Sequence, residues 1–304
     1  MKDLVSWSYN IDASDLVQLN TFYYMEQVTT YLYIIPAGKE KSTVFFHLLK
    51  FIDKSPYFSL LLTRENATTI TMMGTEYYGL RSNLKLHDPI STFQLNVPVL
   101  YPATYPIASH FKSRWLAKNQ IHEQELGLAL DKVPPHLRAL LFDLATYYIH
   151  LNEEAYPLIG ALESINFTIS LCHARLKPDQ LLIEFFMPEH LILDNRSRLY
   201  CEYIRHLFVT TGDLDQVRDV VATIVKNDPL LEEEWRFLYA RLYFPSHFYD
   251  IVYDILHNDE VNLESLYEQT LNYAKLLAYL PTFIHEYTGI SIPVSEWVSQ
   301  ESHL

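Results

Sequence analysis

The spacing of apolar residues changes period along this chain, and that change limits the available folds more than any single motif does. From Phe22 to about Ser82 the pattern is mostly of β type. The run TFYYMEQVTTYLYIIP concentrates Tyr, Thr, Val and Ile, which fit a pleated surface, and it stops at Pro36, which has no N–H to extend a ladder. One amphipathic helix, STVFFHLLKFIDK, follows. The runs YFSLLLT, TTITMM and EYYGLRS, parted by RENA and by Gly74, then predict an antiparallel meander. Residues 83 to 106 carry four prolines and little periodicity, which reads as a hinge. Beyond Pro106 the period becomes helical in IASHFKSRWLAKNQIHEQEL, HLRALLFDLATYYIHL, LEEEWRFLYARLYF and LESLYEQTLNYAKLLAYLPTFIHEY. A β island, Phe167 to Tyr203, interrupts it. The expected plan is therefore α+β and two-lobed: a small lobe over 1–83, a linker over 84–106, and a mainly helical lobe over 107–304 that contains the island at 167–203. No repeat of fixed period occurs, which sets aside a helical solenoid.

Composition narrows the functional classes. With 23 Lys+Arg against 37 Asp+Glu the net charge is −14, and no basic run is present, so a nucleic-acid partner is not expected. An apolar fraction of 49% and an aromatic fraction of 14% argue for a packed globule. No apolar run approaches the ~18 residues of a membrane span, and the N-terminal segment has no signal-peptide pattern, so a cytoplasmic protein without a membrane span is expected. Two cysteines, Cys172 and Cys201, fit a reducing compartment, and the sequons at Asn66, Asn166 and Asn195 then read as chance matches. The seven glycines lie too far apart for GxGxxG or GxxxxGK[ST], which excludes a glycine-rich phosphate cradle. HExxH, CxxC and GxSxG are absent too.

Site chemistry must then lie in the island. Its parts run in order: a β-type run, the loop Cys172-His173-Ala174-Arg175-Leu176-Lys177-Pro178-Asp179-Gln180, a short strand Leu181-Leu182-Ile183, and a hairpin ending in Leu199-Tyr200-Cys201-Glu202-Tyr203. This order resembles the catalytic region of aminoglycoside-phosphotransferase-like kinases, where a loop of the form HGDxxPxN-Ile-Leu precedes a strand ending in Ile-Asp-Phe or Ile-Asp-Trp. Gly212-Asp213-Leu214-Asp215-Gln216-Val217-Arg218-Asp219-Val220 resembles that family's gDPxxDLA helix start. Trp235-Arg236-Phe237-Leu238 through Tyr243-Phe244-Pro245-Ser246-His247-Phe248-Tyr249 is similar to the LxxYLxFPxR[FY]W stretch of its spore-coat branch, and His110 to Trp115 to the linker helix. The resemblance, to spore-coat kinase-like proteins of the CotS/YutH type, spans roughly residues 100 to 290. It implies a protein-kinase-like fold, a role in sporulation or the spore coat, and other coat proteins as partners.

The departures from that pattern bear on activity. Phosphoryl transfer needs a carboxylate to orient the hydroxyl, oxygen ligands for Mg²⁺, a cation for the phosphates and a cover over them. Aligned on His173 and Pro178, the loop carboxylate is replaced by Arg175, a permanent cation with no acceptor. The metal-binding Asn becomes Gln180 and the metal-binding Asp falls near Glu202, each one methylene longer. Lys39, Lys41, Lys50 and Lys54 flank or lie in the predicted helix, away from a strand that would aim a cation at phosphate. A noncatalytic, kinase-like protein acting through protein interaction follows, with no cofactor expected. The alternative is an active small-molecule phosphotransferase, using ATP and Mg²⁺ with Asp179 as a rebuilt base beside Gln180 and Glu202; a third reading, an adaptor without kinase ancestry, has less to support it. Trp235, Phe237, Leu238, Leu242 and Phe244 form a helical stripe suited to a core, and Glu232, Glu233 and Glu234 suit the positive end of that helix. The tyrosines Tyr23, Tyr24, Tyr31 and Tyr33 suit either an interaction surface or a buried sheet.

Overall fold

Alternation and tight turns in the first 82 residues build one antiparallel sheet behind a short helix. The computed structural model describes residues 2–38, 42–90, 99–105, 107–162, 165–257, 262–295 and 298. Helix α1 (Lys2–Tyr9) leads into β1 (Val17–Leu19), β2 (Phe22–Glu26), β3 (Tyr31–Pro36), helix α2 (Ser42–Lys54), β4 (Phe58–Leu61), β5 (Thr69–Met72) and β6 (Thr75–Ser82). The sheet order is β1-β2-β3-β6-β4, with β5 also on β6. Strand β6 is long enough to take two short strands in succession along one edge: Thr69–Met72 opposite Thr75–Tyr78, then Phe58–Leu61 opposite Gly79–Ser82. The β5–β6 turn has Met73 at φ 50° and Gly74 at φ 80°, the two positive values that a two-residue hairpin of matching twist demands. Gly79 serves close packing instead, since a Cβ there would stand 2.9 Å from Leu61 Cβ and 3.1 Å from the Tyr9 ring.

Both faces of the sheet are covered. Val5 and Tyr9 of α1 pack on Tyr23, Met25, Leu32, Ile34, Ile70 and Met72, each worth roughly 1.5–3 kcal/mol when fully buried. Other aromatics come from farther along the chain: Phe58 meets Phe186 at 4.7 Å, Phe51 meets Phe185 at 5.7 Å, and the buried Tyr78 hydroxyl donates to Phe186 O at 2.5 Å. Tyr23 and Tyr33 are buried and Tyr24 and Tyr31 are half-buried, so the tyrosine-rich strands build mostly sheet interior.

A second sheet has the order β7-β8-β9: β7 (Val99–Tyr105), β8 (Ile165–His173) and β9 (Leu191–Asn195). Between β8 and β9 lie two 3-10 turns, Leu182–Phe186 and Pro188–His190. Two features differ here from expectation. Leu181-Leu182-Ile183 is not a strand: after backbone bonds to residues 86–90 (Leu182 N–H to Asp88 O, Ile183 N–H to Leu86 O) the chain coils, because Leu182, Ile183, Phe185 and Phe186 are all buried and no alternation exists to sustain a ladder. Residues 199–203 are helical within α5 (Ser197–Thr211), started by Asn195 Oδ1 accepting from Ser197 N–H at 2.8 Å. Of the expected linker, 84–90 bonds to 180–183, Val99–Tyr105 is strand, and 91–98 and 106 lie outside the described residues.

The remaining helices are α3 (Ile107–Lys132), α4 (Arg138–Gly160), α6 (Leu214–Asn227), α7 (Glu232–Tyr243), α8 (Ser246–Leu256) and α9 (Leu263–Thr288). Helix α3 packs on α4 and α8, α4 on α7 and α9, and α6 on α9. Trp235, Phe237, Leu238 and Leu242 are fully buried, and the rings of Trp115 and Phe244 meet at a tilt, 5.2 Å apart. Asp213 caps α6, accepting from Asp215 and Gln216 N–H, where the sequence places a helix start. Glu234 reaches back to Leu231 N–H at 3.0 Å and closes the first turn of α7. Beyond α9, Ile292 is buried. The fold is a small antiparallel-sheet lobe plus a larger helical lobe. Backbone contacts group Met1–Tyr101 with Ile169–Leu199, and Pro102–Thr168 with Tyr200–Leu304. The island, which the sequence places wholly inside 107–304, therefore contributes most of its length to the smaller unit, because its backbone pairs with residues 86–90 and its phenylalanines fill that unit's core.

Candidate functional site

Strand β8 ends in His173, which is buried, and the loop beyond it is closed by its own polar groups. Arg175 N–H donates to His173 Nδ1 at 3.1 Å, and Lys177 N–H to Gln180 Oε1 at 3.2 Å. Gln180 N–H donates to Lys177 O, which makes Pro178 and Asp179 the central residues of a turn, a place suited to both. Leu176 is fully buried and anchors the loop, while Arg175, Lys177 and Asp179 are exposed. Gln180 is half-buried; its amide nitrogen donates to Glu184 Oε2 and lies 3.2 Å from His173 Nε2. His173, Arg175, Asp179 and Gln180 therefore share one loop, as the sequence places them.

Glu202 is engaged elsewhere. It stands on α5, buried, with its carboxylate 3.0 Å from Arg205 Nη1. Arg205, 1% exposed, also donates to Ser246 Oγ (2.8 Å), Arg241 O (2.5 Å), Phe244 O (3.2 Å) and Tyr273 OH (3.3 Å). These groups belong to the helical unit, and Glu202 is the counter-charge that keeps a sunken guanidinium tolerable there. The strand that follows the loop ends in Leu193-Asp194-Asn195, so the carboxylate at a strand end is that of Asp194 and not of Glu202. Sequence reasoning misses it because residues 199–203 resemble a strand end. The signal lies in the run Leu191-Ile192-Leu193 before the acid.

Asp194 is already engaged. Its carboxylate accepts from Asn195 N–H at 2.7 Å and from Arg198 Nη1 at 3.2 Å, and Arg198 Nη2 donates to Ala174 O at 2.9 Å, tying the first turn of α5 to the start of the loop. Magnesium takes oxygen ligands in near-ideal octahedral geometry. Here Gln180 Oε1 serves a backbone N–H, Asp194 carries a guanidinium, and Arg175 adds a permanent cation to the loop rather than an oxygen donor. This donor set does not fit a magnesium–nucleotide centre. Among the small-lobe lysines, Lys50 lies over the Phe46 ring of its own helix at 4.2 Å, and Lys39 and Lys41 lie outside the described residues.

Comparison with known proteins agrees with this geometry at the level of fold and family. Residues 146–279 match the model of the family described as spore coat putative kinase YutH. Among solved structures, an aminoglycoside phosphotransferase from Alicyclobacillus acidocaldarius is similar with a TM-score of 0.57 at 12% identity, over 95% of this chain and 92% of that one. A spectinomycin phosphotransferase in complex with ADP and spectinomycin is similar with a TM-score of 0.51 at 10% identity, over 100% and 98%. No curated protein matches. The fold is thus that of the aminoglycoside phosphotransferases, and the chain resembles the spore-coat kinase-like family.

Proposed function

We propose that this chain, kinase-like in fold and similar over residues 146–279 to the YutH-type spore-coat family, is a noncatalytic member of that group that works through protein contacts in or around the spore coat. The observation that carries the reading is the state of the loop after β8. Arg175 replaces the carboxylate that would orient a hydroxyl, and a guanidinium neither accepts a proton nor binds a cation. Gln180 and Asp194 commit their oxygens to Lys177 N–H, Asn195 N–H and Arg198. Three requirements of phosphoryl transfer are altered together, and glycines close enough for a phosphate-covering loop are absent from the sequence. No described helix is long and apolar enough to cross a membrane. A cytoplasmic protein that assembles onto coat proteins, with no nucleic acid involved and no cofactor required, is the consistent picture.

One observation favours the second reading, an active small-molecule phosphotransferase: Asp194 is a carboxylate of unaltered length at the end of the strand after the loop. Nucleotide-dependent thermal shift separates the two. Without a site, ATP with Mg²⁺ leaves the melting temperature of the full chain unchanged and phosphate release stays at background. A rise of several degrees that requires Mg²⁺ overturns the noncatalytic reading, since a ligand bound only to the native state must stabilise it.

A further inference from the structure

Three metal-ligating side chains converge beside the loop, and two of them have no part in the phosphotransferase pattern. One ligand atom from each of His173, Glu184 and His190 lies within 4.8 Å of the other two, and His190 Nδ1 is 3.9 Å from Glu184 Oε2. The backbone holds them there. His173 pairs with Leu191 in the last rung of the β8–β9 ladder, and Ala174 N–H donates to His190 O at 2.8 Å, which sets residues 173 and 190 side by side. Glu184 sits in the 3-10 turn that receives Met187 N–H, and His190 N–H in turn donates to Met187 O at 3.0 Å. The ligands are thus spaced by hydrogen-bonded backbone and not by chance meeting of long side chains.

Two features of the side chains point to a cation. His190 Nδ1 is buried and has no hydrogen-bond partner, although its ring meets His173 edge to face at 5.6 Å. Between the other two ligands stands the Gln180 amide, its nitrogen donating to Glu184 Oε2 and facing His173 Nε2 at 3.2 Å. A neutral amide donor thus sits on the Glu184 carboxylate beside the His173 ring, on ground that a cation would take over.

We propose that His173, Glu184 and His190 bind one Zn²⁺ ion, with water as the fourth ligand. Two imidazoles and one carboxylate suit tetrahedral zinc, whereas Mg²⁺ and Ca²⁺ call for all-oxygen shells. Cys172 is not a ligand: it alternates with His173 along β8, and its thiol donates to the Asp194 and Asn195 carbonyls. His173 Nδ1 accepts from Arg175 N–H, so coordination through Nε2 moves the ring proton to Nδ1 and gives up that contact. Zinc uptake is consequently coupled to the conformation of the Arg175 loop, and the ion staples the end of β8 to the start of β9. This holds whether or not the chain binds nucleotide.

The test uses the full chain, stripped with a chelator and titrated with Zn²⁺ by calorimetry, with thermal shift alongside. One ion per chain and a rise in melting temperature are expected, with at least a tenfold loss of affinity in His190→Ala and in Glu184→Gln. The exposed pair His150–Glu153 and the pair His122–Glu125 are controls, so His150→Ala and His122→Ala leave the affinity unchanged. Wild-type affinity in His190→Ala, or loss in either control, overturns the proposal. Should His190→Ala fail to fold, Co²⁺ substitution of the wild type decides: an intense tetrahedral d–d absorption supports the site and an octahedral spectrum refutes it.

Discussion

Two clusters of ionisable residues, separated by only a few positions in sequence, are treated in opposite ways by this fold. Around Arg205 every donor is used inside the helical core, on Glu202, Ser246, Tyr273 and two carbonyls, and the guanidinium is 1% exposed. Around His173 most polar groups are half-buried or exposed, a ring nitrogen of His190 lacks a hydrogen-bond partner, and Arg198 bridges Asp194 and the Ala174 carbonyl. A complete buried network holds a fold together; an incomplete one at the surface is left for a ligand or a partner. The difference is one of closure: the core pair is satisfied by its own neighbours, whereas the loop cluster keeps a ring nitrogen without a hydrogen-bond partner.

That contrast is open to measurement. Removing the counter-charge in the core has the largest expected effect: Glu202→Gln leaves Arg205 buried beside a neutral group and destabilises the chain by about 3–5 kcal/mol in urea unfolding. A loss under about 1 kcal/mol breaks the comparison. The next effect is acid sensitivity. His247 is buried against Tyr148, and burial, with Arg205 and His206 adding to it, holds its pKa well below the usual histidine value. The native state therefore binds the proton less readily than the unfolded chain does. Its stabilising contribution is complete above the unfolded pKa of about 6.5 and falls by up to about 1.4 kcal/mol per pH unit below it. His247→Gln should flatten the stability–pH profile between about pH 6.5 and 5.5 by that amount; a profile as steep as the wild type's places the acid-sensitive group elsewhere. The smallest effect belongs to the loop. The Arg198–Asp194 pair is partly solvated, so Arg198→Ala costs under about 1 kcal/mol while amide exchange across residues 174–180 accelerates. A loss as large as that of Glu202→Gln removes the distinction between the clusters.

Much of the fold is legible in the chain. Period-2 runs mark the strands of the first sheet, Pro36 and Gly74 fall at its turns, and the loop His173 to Gln180 is readable because Pro178 and the residues around it keep a recognisable spacing. The short helix α1 escapes such reading, since eight residues with two buried apolar side chains carry little period. Residues 199–203 mislead for a stronger reason. Tyr200 and Cys201 suit a strand locally, yet the Asn195 cap and the burial of Tyr200, Cys201, Ile204 and Phe208 at helical spacing decide for α5. That single shift puts Glu202 on a helix as the partner of Arg205 and leaves Asp194 as the carboxylate at the strand end.

By itself, the sequence determined the fold class and the extent of the loop from His173 to Gln180, because periodicity and turn-forming residues act locally and survive without coordinates. Only the tertiary structure decided which carboxylate stands at the strand end and which histidines meet. Pairings across a ladder, and the competition between a cap and a strand-forming run, depend on residues distant in the chain, and no local pattern encodes them.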